Sequence, residues 1–494
     1  VSEHLLAAGS DTAVAVVDGA SEFTYGDLRA AVARLAAQVR ASSAPGDRVG
    51  ILAPNSFFWI ASYLATLATG RVAVPFPTTA TPDDVVRQAS WVGATTFLVH
   101  RRQVKQLGSL APGAITIDDS AIHVENRLPS FGPADVDPDT DAVLQFTSGT
   151  TAAPKAVRVT HRNLVANTDA IVDYLGLDAA DRMLVVLPFS YCYGLSLLNT
   201  HLRVGGSVAL CHTLTFPETV VEAIDEHACT GFAGVPSTYQ LLLKASSLGR
   251  RALPSLRHLQ QAGGKLAPAL VDDLAAAQNR ARVFVMYGQT EATARLSYLP
   301  PEEIHRKRGS VGRGIPGQPL RVVDSDDADV GPGEVGEIVA SGPSITSGYW
   351  NDPGATAEKY RGGLLRTGDL ATVDDDGFVY IVDRLSDFIK SWGHRISSQE
   401  IEEATLAVPG VMSAAAVGVP DDAAGEAIVL FAVTSDPDVS GDDILGSLRG
   451  SLAKHKLPHH VRVVDELPLN ANGKAVKSEL REWALAVDSS DAER

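Results

Sequence analysis

At 494 residues the chain exceeds what one hydrophobic core organises, so two or more domains are expected. Apolar residues make up 45% and charged residues 20%, the balance of a globular chain rather than a disordered or fibrous one. A formal net charge of −17 speaks against broad nucleic-acid binding. Three cysteines without CxxC spacing, Cys192, Cys211 and Cys229, suggest neither a disulfide framework nor a thiolate metal site, and a cytoplasmic setting is expected.

In chain order, Val1 to Gly9 lacks the basic stretch and apolar run of a secretory signal. Arg48 to Leu52, Val72 to Pro75, Thr96 to Val99 and Met183 to Leu187 are short apolar runs suited to buried strands. The stretch Trp59 to Val74 is broken by Gly70 and Arg71 and is shorter than the roughly 20 residues of a membrane span, so it reads as a buried helix and a strand, and no membrane span is expected. Asn163 to Leu175 is expected as a helix capped by Thr160, with Leu164, Ile171, Val172 and Leu175 on one face. Strand and helix in alternation indicate an α/β fold with largely parallel sheets. After about Ser297, Gly-Pro turns at Gly314 to Pro319 and Gly331 to Gly336 separate short strands, among them Gly336 to Ala340 and Gly377 to Asp383, as in a β-rich subdomain. Helices at Ser398 to Ala407 and Asp442 to Lys454, with strands at Val411 to Val419 and Ile428 to Thr434, then predict a small α+β C-terminal domain of about 110 residues.

Several segments carry chemistry. Leu144 to Val157 reads LQFTSGTTAAPKAV: Gly149 lets backbone N–H groups converge, Thr147, Ser148, Thr150 and Thr151 add hydroxyls, and Lys155 adds a point charge for polyphosphate. It is not a Walker A loop, since Pro154 and Ala156 stand where Gly and Ser or Thr are needed. A polar surface turn would use the same residue types. Tyr287 to Thr293, YGQTEAT, follows the apolar strand Val283 to Met286 and so sets an aromatic ring, Thr290 and Glu291 at a strand's carboxyl end, where ligands gather in α/β sheets. Asp369, in RTGDL, offers two oxygens to a ribose diol. The segments DRLSDFIKSWGHRIS, from Asp383 to Ser397, and LPLNANGK, ending at Lys474, come last, and Asn472-Gly473 is a turn signal that would hold Lys474 at a loop tip.

Together these motifs, in this order and spacing, resemble the acyl-adenylate-forming superfamily of acyl-CoA synthetases, peptide-synthetase adenylation domains and luciferases, over nearly the whole chain. The resemblance implies a large N-terminal adenylation core at 1–383, a hinge at 384–388 around Ser386, and a mobile C-terminal domain at 389–494. It implies that Thr147 to Lys155 hold the β and γ phosphates of ATP, that Tyr287, beside Gly288, stacks on adenine, that Thr290 touches the α-phosphate and that Glu291 binds Mg²⁺. Asp369 and Arg384 would hold the ribose, Arg395 would reach phosphate, and Lys474 would bridge the acyl carboxylate and α-phosphate. A carboxylate with a pKa near 4 is ionised at pH 7 and needs no general base, so positioning and electrostatic stabilisation would carry the reaction. Gly393 would come to a pantetheine tunnel, where glycine permits close backbone approach. Ala152 and Ala156 stand where the family pattern has Gly, and Ser386 stands where relatives carry Asp or Lys.

In PFSYCYGLS, from Pro188 to Ser196, Tyr191 matches the aromatic residue bordering the acyl pocket, and Cys192 the position where members that activate α-amino acids carry aspartate. An ammonium left unpaired in a buried pocket is costly, so a neutral acyl or aryl acid is the expected substrate. Gly231 to Leu243 and Gln261 to Leu266, with Gly263 and Gly264, are expected to line the rest of the pocket. The expected reaction is adenylation of a small carboxylic acid followed by transfer to the thiol of CoA or of an acyl carrier protein. A non-thiol acceptor, nitrite in place of the acid, and a nucleotide-binding protein without catalysis are the alternatives.

Overall fold

The computed structural model describes residues 1–107, 115–123, 134–147, 155–385, 387–421, 424–469 and 475–491. The chain divides into two compact units: 1–308, 312–320 and 340–366 form the first, while 309–311, 321–339 and the chain from 367 onward form the second. The expected boundary between a core at 1–383 and a C-terminal domain at 389–494 stays a proposal.

Among the described residues the first unit holds two large sheets. One runs, in spatial order, Ile115–Asp118, Thr96–Val99, Arg48–Leu52, Val72–Pro75, Asp141–Phe146 and Ala156–Thr160, parallel throughout except for the last pair. The other runs Arg313–Gly314, Ser297–Leu299, Arg282–Tyr287, His258–Gln261, Gly231–Gly234, Arg182–Val185, Ser207–Leu210, Val14–Asp18 and Ser21–Thr24, with six parallel strands inside antiparallel edges. Strands covered on both faces read as continuous apolar runs, and Val72–Pro75, Thr96–Val99 and Ser207–Leu210 are buried at every position. Every residue of the helix Phe57–Ala68 is buried too. The apolar stretch read from the sequence is therefore core, and among the described residues no helix is long and apolar enough to cross a membrane.

In the larger sheet the strand order reverses beside Arg182–Val185: the next strand in sequence, Ser207–Leu210, lies on one side and the following one, Gly231–Gly234, on the other. The crevice at the carboxyl ends of such a switch point is where open α/β sheets bind ligands. Segments 186–191, 262–267 and 288–296 all leave this edge.

The second unit pairs the long strands Val411–Asp421 and Gly425–Thr434, with Ile389–Ser391, His394–Ile396 and His460–Val463 extending the sheet. Alternation along Val411–Asp421 serves two cores, Ile401 and Ile444 on one face and Leu480 and Ala484 on the other. Lys477 is mostly covered, lying between Glu402, at 2.9 Å, and the Ser398 hydroxyl, at 2.6 Å. Burial pushes the Glu402 carboxyl up, whereas the surrounding carboxylates raise Lys477 against the opposing effect of its own burial. Also in this unit, the carboxyl-terminal part of Leu364–Val373 pairs antiparallel with Val379–Arg384.

Two of the elements that are shorter than expected have a clear local cause. The helix read as Asp442 to Lys454 is Gly441–Leu448, because Gly446 and Gly450 weaken helix propagation and Leu452 turns back to be buried. The strand read from Gly377 starts at Val379, since the Asp374 carboxylate accepts from the N–H groups of Asp376 and Phe378 and fixes a turn with Gly377 at φ +78°. The Thr160 cap is present and reciprocal: the Thr160 hydroxyl accepts from the Asn163 N–H, and the Asn163 side-chain Oδ1 accepts from the Thr160 N–H at 2.9 Å. The Asn163 amide also donates to Pro343 O at 2.7 Å and Ile345 O at 2.9 Å. Asn163→Ala should therefore cost about 2 kcal/mol, one reciprocal cap bond and two part-buried acceptors left open, read as a lower urea midpoint at unchanged slope. An unchanged midpoint would contradict this role.

Candidate active site

The segment after Arg182–Val185 is held before it reaches Tyr191. Asn55 grips it at both ends, donating to Leu187 O and accepting from the Phe189 N–H, each at 2.9 Å. Buried Gln145 donates to Ser190 O at 2.9 Å. Gly194 is required here, because a Cβ would stand 2.2 Å from Pro188 O. Tyr191 precedes the helix Cys192–Arg203 and is half-buried, and burial pushes its phenol up to about 12. Cys192, the first residue of that helix, accepts a hydrogen bond from the Thr290 hydroxyl, Oγ1 to Sγ 3.6 Å.

Thr290 and Glu291 lie in the turn that links Arg282–Tyr287 to Ser297–Leu299. The turn closes tightly: a Cβ on Gly288 would stand 2.0 Å from Ala294 O, and Leu296 N–H donates to Tyr287 O at 2.9 Å. Thr293 takes φ +66° and ψ −60°, and the Ala294 N–H reaches Ala292 O at 2.7 Å, a γ-turn of the strained, positive-φ kind. Its hydroxyl is anchored on Ser344 O at 2.7 Å. The Glu291 carbonyl accepts from both the N–H and the hydroxyl of Thr346, at 3.0 and 2.9 Å. The Glu291 carboxylate accepts a 2.6 Å bond from the Tyr349 hydroxyl. Burial, and then the neighbouring Glu291 carboxylate, push the Tyr349 phenol far above its ordinary value, so it stays a donor. The Lys155 ammonium lies 5.4 Å from the centre of the Tyr349 ring.

Segment 148–154, with Ser148, Gly149, Thr150 and Thr151, lies outside the described residues. Its flanks are joined by the bond from Thr147 N–H to Lys155 O at 3.1 Å. Gly263 takes φ +88°, and Gly264 O accepts from the Gln261 amide at 2.7 Å. In the second unit Asp369 and Arg384 are register partners on adjacent strands, with Arg384 Nε 3.2 Å from the Asp369 carboxylate. Gly393, at φ +75°, follows Trp392 at φ +52° in a two-residue turn between Ile389–Ser391 and His394–Ile396, where positive φ at both positions matches the twist of the strands. Arg395 pairs with Lys390 through the backbone of that hairpin. Ser386 and Lys474 lie outside the described residues, while Leu469 and Ala475 pair across the base of the 470–474 segment.

Sequence reasoning missed Asn55, Gln145, Thr346 and Tyr349. None is near its partner in sequence. The only signal was the run Ser347 to Asp352, SGYWND, an aromatic pair among turn residues.

A loop-lined sheet edge thus gathers a carboxylate, hydroxyls and a lysine, groups whose chemistry suits a phosphorylated ligand and an acid. A model of the family described as AMP-binding enzyme matches residues 6–350, and one of the AMP-binding enzyme C-terminal domain matches 400–474. A feruloyl-CoA synthase from Amycolatopsis is 34% identical over 477 residues, covering 96% of each chain. The o-succinylbenzoate CoA synthetase of Bacillus subtilis, 28% identical, superposes with a TM-score of 0.88 over 97% of this chain and 98% of that one in its acyl-adenylate complex. With ATP and a magnesium ion the TM-score is 0.87, with 97% and 99% covered. The amide bond synthetase McbA from Marinactinospora thermotolerans, also 28% identical, gives 0.87 over 98% of both chains. The chain belongs to the AMP-binding enzyme family, the acyl-adenylate-forming ligases. It is an ATP-binding, AMP-forming ligase acting on a small carboxylic acid.

With Glu291 as the carboxylate that would hold Mg²⁺, the Tyr349 bond fixes one of its oxygens. Tyr349→Phe should raise the Mg²⁺ concentration needed for half-maximal activity by about 10-fold and weaken Mn²⁺ binding, followed by electron paramagnetic resonance in the presence of ATP, by a similar factor. A variant that loses turnover with unchanged Mn²⁺ affinity would contradict this.

Proposed function

We propose that this ligase adenylates an acyl or aryl acid that carries no α-ammonium group and passes the acyl group to the thiol of CoA or of a carrier protein's pantetheine. The observation that carries this reading is the contact between Thr290 and Cys192: the hydroxyl assigned to the α-phosphate touches a neutral side chain at the position where an ammonium would need a carboxylate. The 34% identity to a feruloyl-CoA synthase over 96% of the chain supports the thiol acceptor. An amine acceptor is the second reading, favoured by the likeness to an amide bond synthetase.

In the first step a carboxylate oxygen of the acid attacks the α-phosphorus of ATP, and pyrophosphate leaves. In the second the thiol sulfur attacks the acyl carbon, its proton is lost, and AMP departs with the oxygen that joined it to the acid. Tyr287 would stack on adenine, and Asp369 with Arg384 would take the ribose diol. Thr147 to Lys155 would bind the β and γ phosphates, Arg395 would add a charge for phosphate, and Glu291 would hold Mg²⁺. The ion would neutralise charge on the polyphosphate. Tyr191, Cys192, Gly263 and Gly264 would border the acid, and Gly393 the incoming pantetheine arm. Lys474 would offset the negative charge where carboxylate meets α-phosphate. The segment 384–388, with Ser386, would be the hinge between the core at 1–383 and the domain at 389–494.

The testing experiment is acid-dependent ATP–pyrophosphate exchange over fatty, aryl and amino acids and nitrite, followed by capture with CoA, a holo carrier protein or an amine. Lys474→Ala should slow adenylation by at least about 100-fold, the order expected on losing a preorganised transition-state charge. Thioester formation from a supplied acyl adenylate should be largely retained. An equal fall in both half-reactions would contradict a role confined to the first step.

A further inference from the structure

Arg295 lies shortly after Thr290, at the end of the same turn, and its side chain is 2% exposed. Asn167 holds its backbone on both sides, donating to Arg295 O at 3.0 Å and accepting from the Arg295 N–H at 3.3 Å. The guanidinium carbon lies 4.0 Å from the centre of the Tyr193 ring, and Nε points at Met286 Sδ, 3.5 Å away. Nη2 is buried with no partner. Among the described residues no carboxylate lies within ion-pair distance of it, so a ring face, a thioether and the Tyr174 hydroxyl support the charge without neutralising it. A buried cation in that state is costly unless an anion meets it.

A second buried group nearby is also unsatisfied. Gln260 is 1% exposed, and neither its Oε1 nor its Nε2 has a partner. Parallel register sets Gln260 beside Phe284 and on the sheet face shared by Phe284 and Met286, the face that Arg295 meets. Tyr193 joins the two: its ring carries Arg295 while its hydroxyl donates to Gln260 O at 2.9 Å. Tyr193 directly follows Cys192, whose sulfur meets the Thr290 hydroxyl. The Arg295 guanidinium and the Gln260 amide, both with unused donors, thus lie around Tyr193, deeper in the fold than the half-buried Cys192 and Thr290 of the reacting end.

We propose that Arg295, assisted by Gln260, reads the far end of the acid, and that this far end carries a second carboxylate. This rests on the acid lying beside Cys192 and Thr290, and it replaces a wholly neutral acid with one that is neutral at its α-carbon and anionic at its far end. The carboxylate would supply acceptors to Nη2 and to the Gln260 amide, offsetting a charge that the protein itself leaves uncompensated.

The test uses acids of one skeleton ending in methyl, primary amide or carboxylate, with the wild-type chain and the Arg295→Met, Arg295→Lys and Gln260→Leu variants. Each pair is measured by pyrophosphate exchange and, without ATP, by calorimetric binding of the acid. The wild type should favour the diacid over the methyl-ended acid by about 100-fold in kcat/KM. Arg295→Met should abolish that preference while sparing the methyl-ended acid. Arg295→Lys should keep a weakened preference, and Gln260→Leu should lower it by about 10-fold. Equal rates on all three acids in the wild type, or an equal loss on all three in Arg295→Met, would overturn the proposal. Diacid binding that depends on Arg295 without any exchange would uphold it and sink the adenylation reading. Exchange without end-group preference would do the reverse.

Discussion

In a parallel sheet every strand delivers its following loop to the same edge, and this constraint organises the candidate site. Arg182–Val185, Gly231–Gly234, His258–Gln261 and Arg282–Tyr287 run side by side in one direction, so residues 192, 263 and 290 leave at a common edge despite their separation in sequence. The reversal of strand order beside Arg182–Val185 opens a crevice there. The contact from Thr290 to Cys192 across 98 positions is its most direct consequence.

The turn from Tyr287 to Leu296 is compressed on this edge, and its cost is met by neighbours. A strained γ-turn at Thr293 costs on the order of 1–3 kcal/mol. Against it stand the Thr293 bond to Ser344 O, the two bonds from Thr346 to the Glu291 carbonyl and the Tyr349 bond to the Glu291 carboxylate. The 343–349 segment is itself held by Asn163 and by pairing with the strand Ala156–Thr160, whose residue Val157 bridges Tyr349. Glu291 and Lys155 are thereby tied to one tyrosine, the carboxylate through its hydroxyl and the ammonium over its ring.

Much of this was legible in the sequence because apolar runs and turn residues are local signals. The runs at Arg48–Leu52, Val72–Pro75 and Thr96–Val99 could only be strands of a covered sheet, and the Thr160 cap announced the helix His161–Leu175. YGQTEAT after an apolar strand located Thr290 and Glu291 at a strand's carboxyl end for the same reason. What was not legible depends on partners far apart in the chain. Tyr349 and Arg295 carry little mark of function in their own neighbourhoods: one reads as an aromatic among turn residues, the other as a charged residue before the strand Ser297–Leu299. Their roles follow from Glu291, 58 positions away, and from Tyr193, which register and helix packing bring to them. The helix that was read too long at Asp442 failed in the same way, since burial of Leu452 against the sheet overrides helical periodicity.

The claim that the acid is activated by direct attack on the α-phosphorus has one direct measurement. An acid labelled with ¹⁸O in its carboxylate is turned over with ATP and a thiol, and the AMP is recovered and weighed by mass spectrometry. One labelled oxygen should appear in AMP and none in pyrophosphate. Label that stays wholly in the acyl product, or that appears in inorganic phosphate with ADP, would contradict an acyl adenylate.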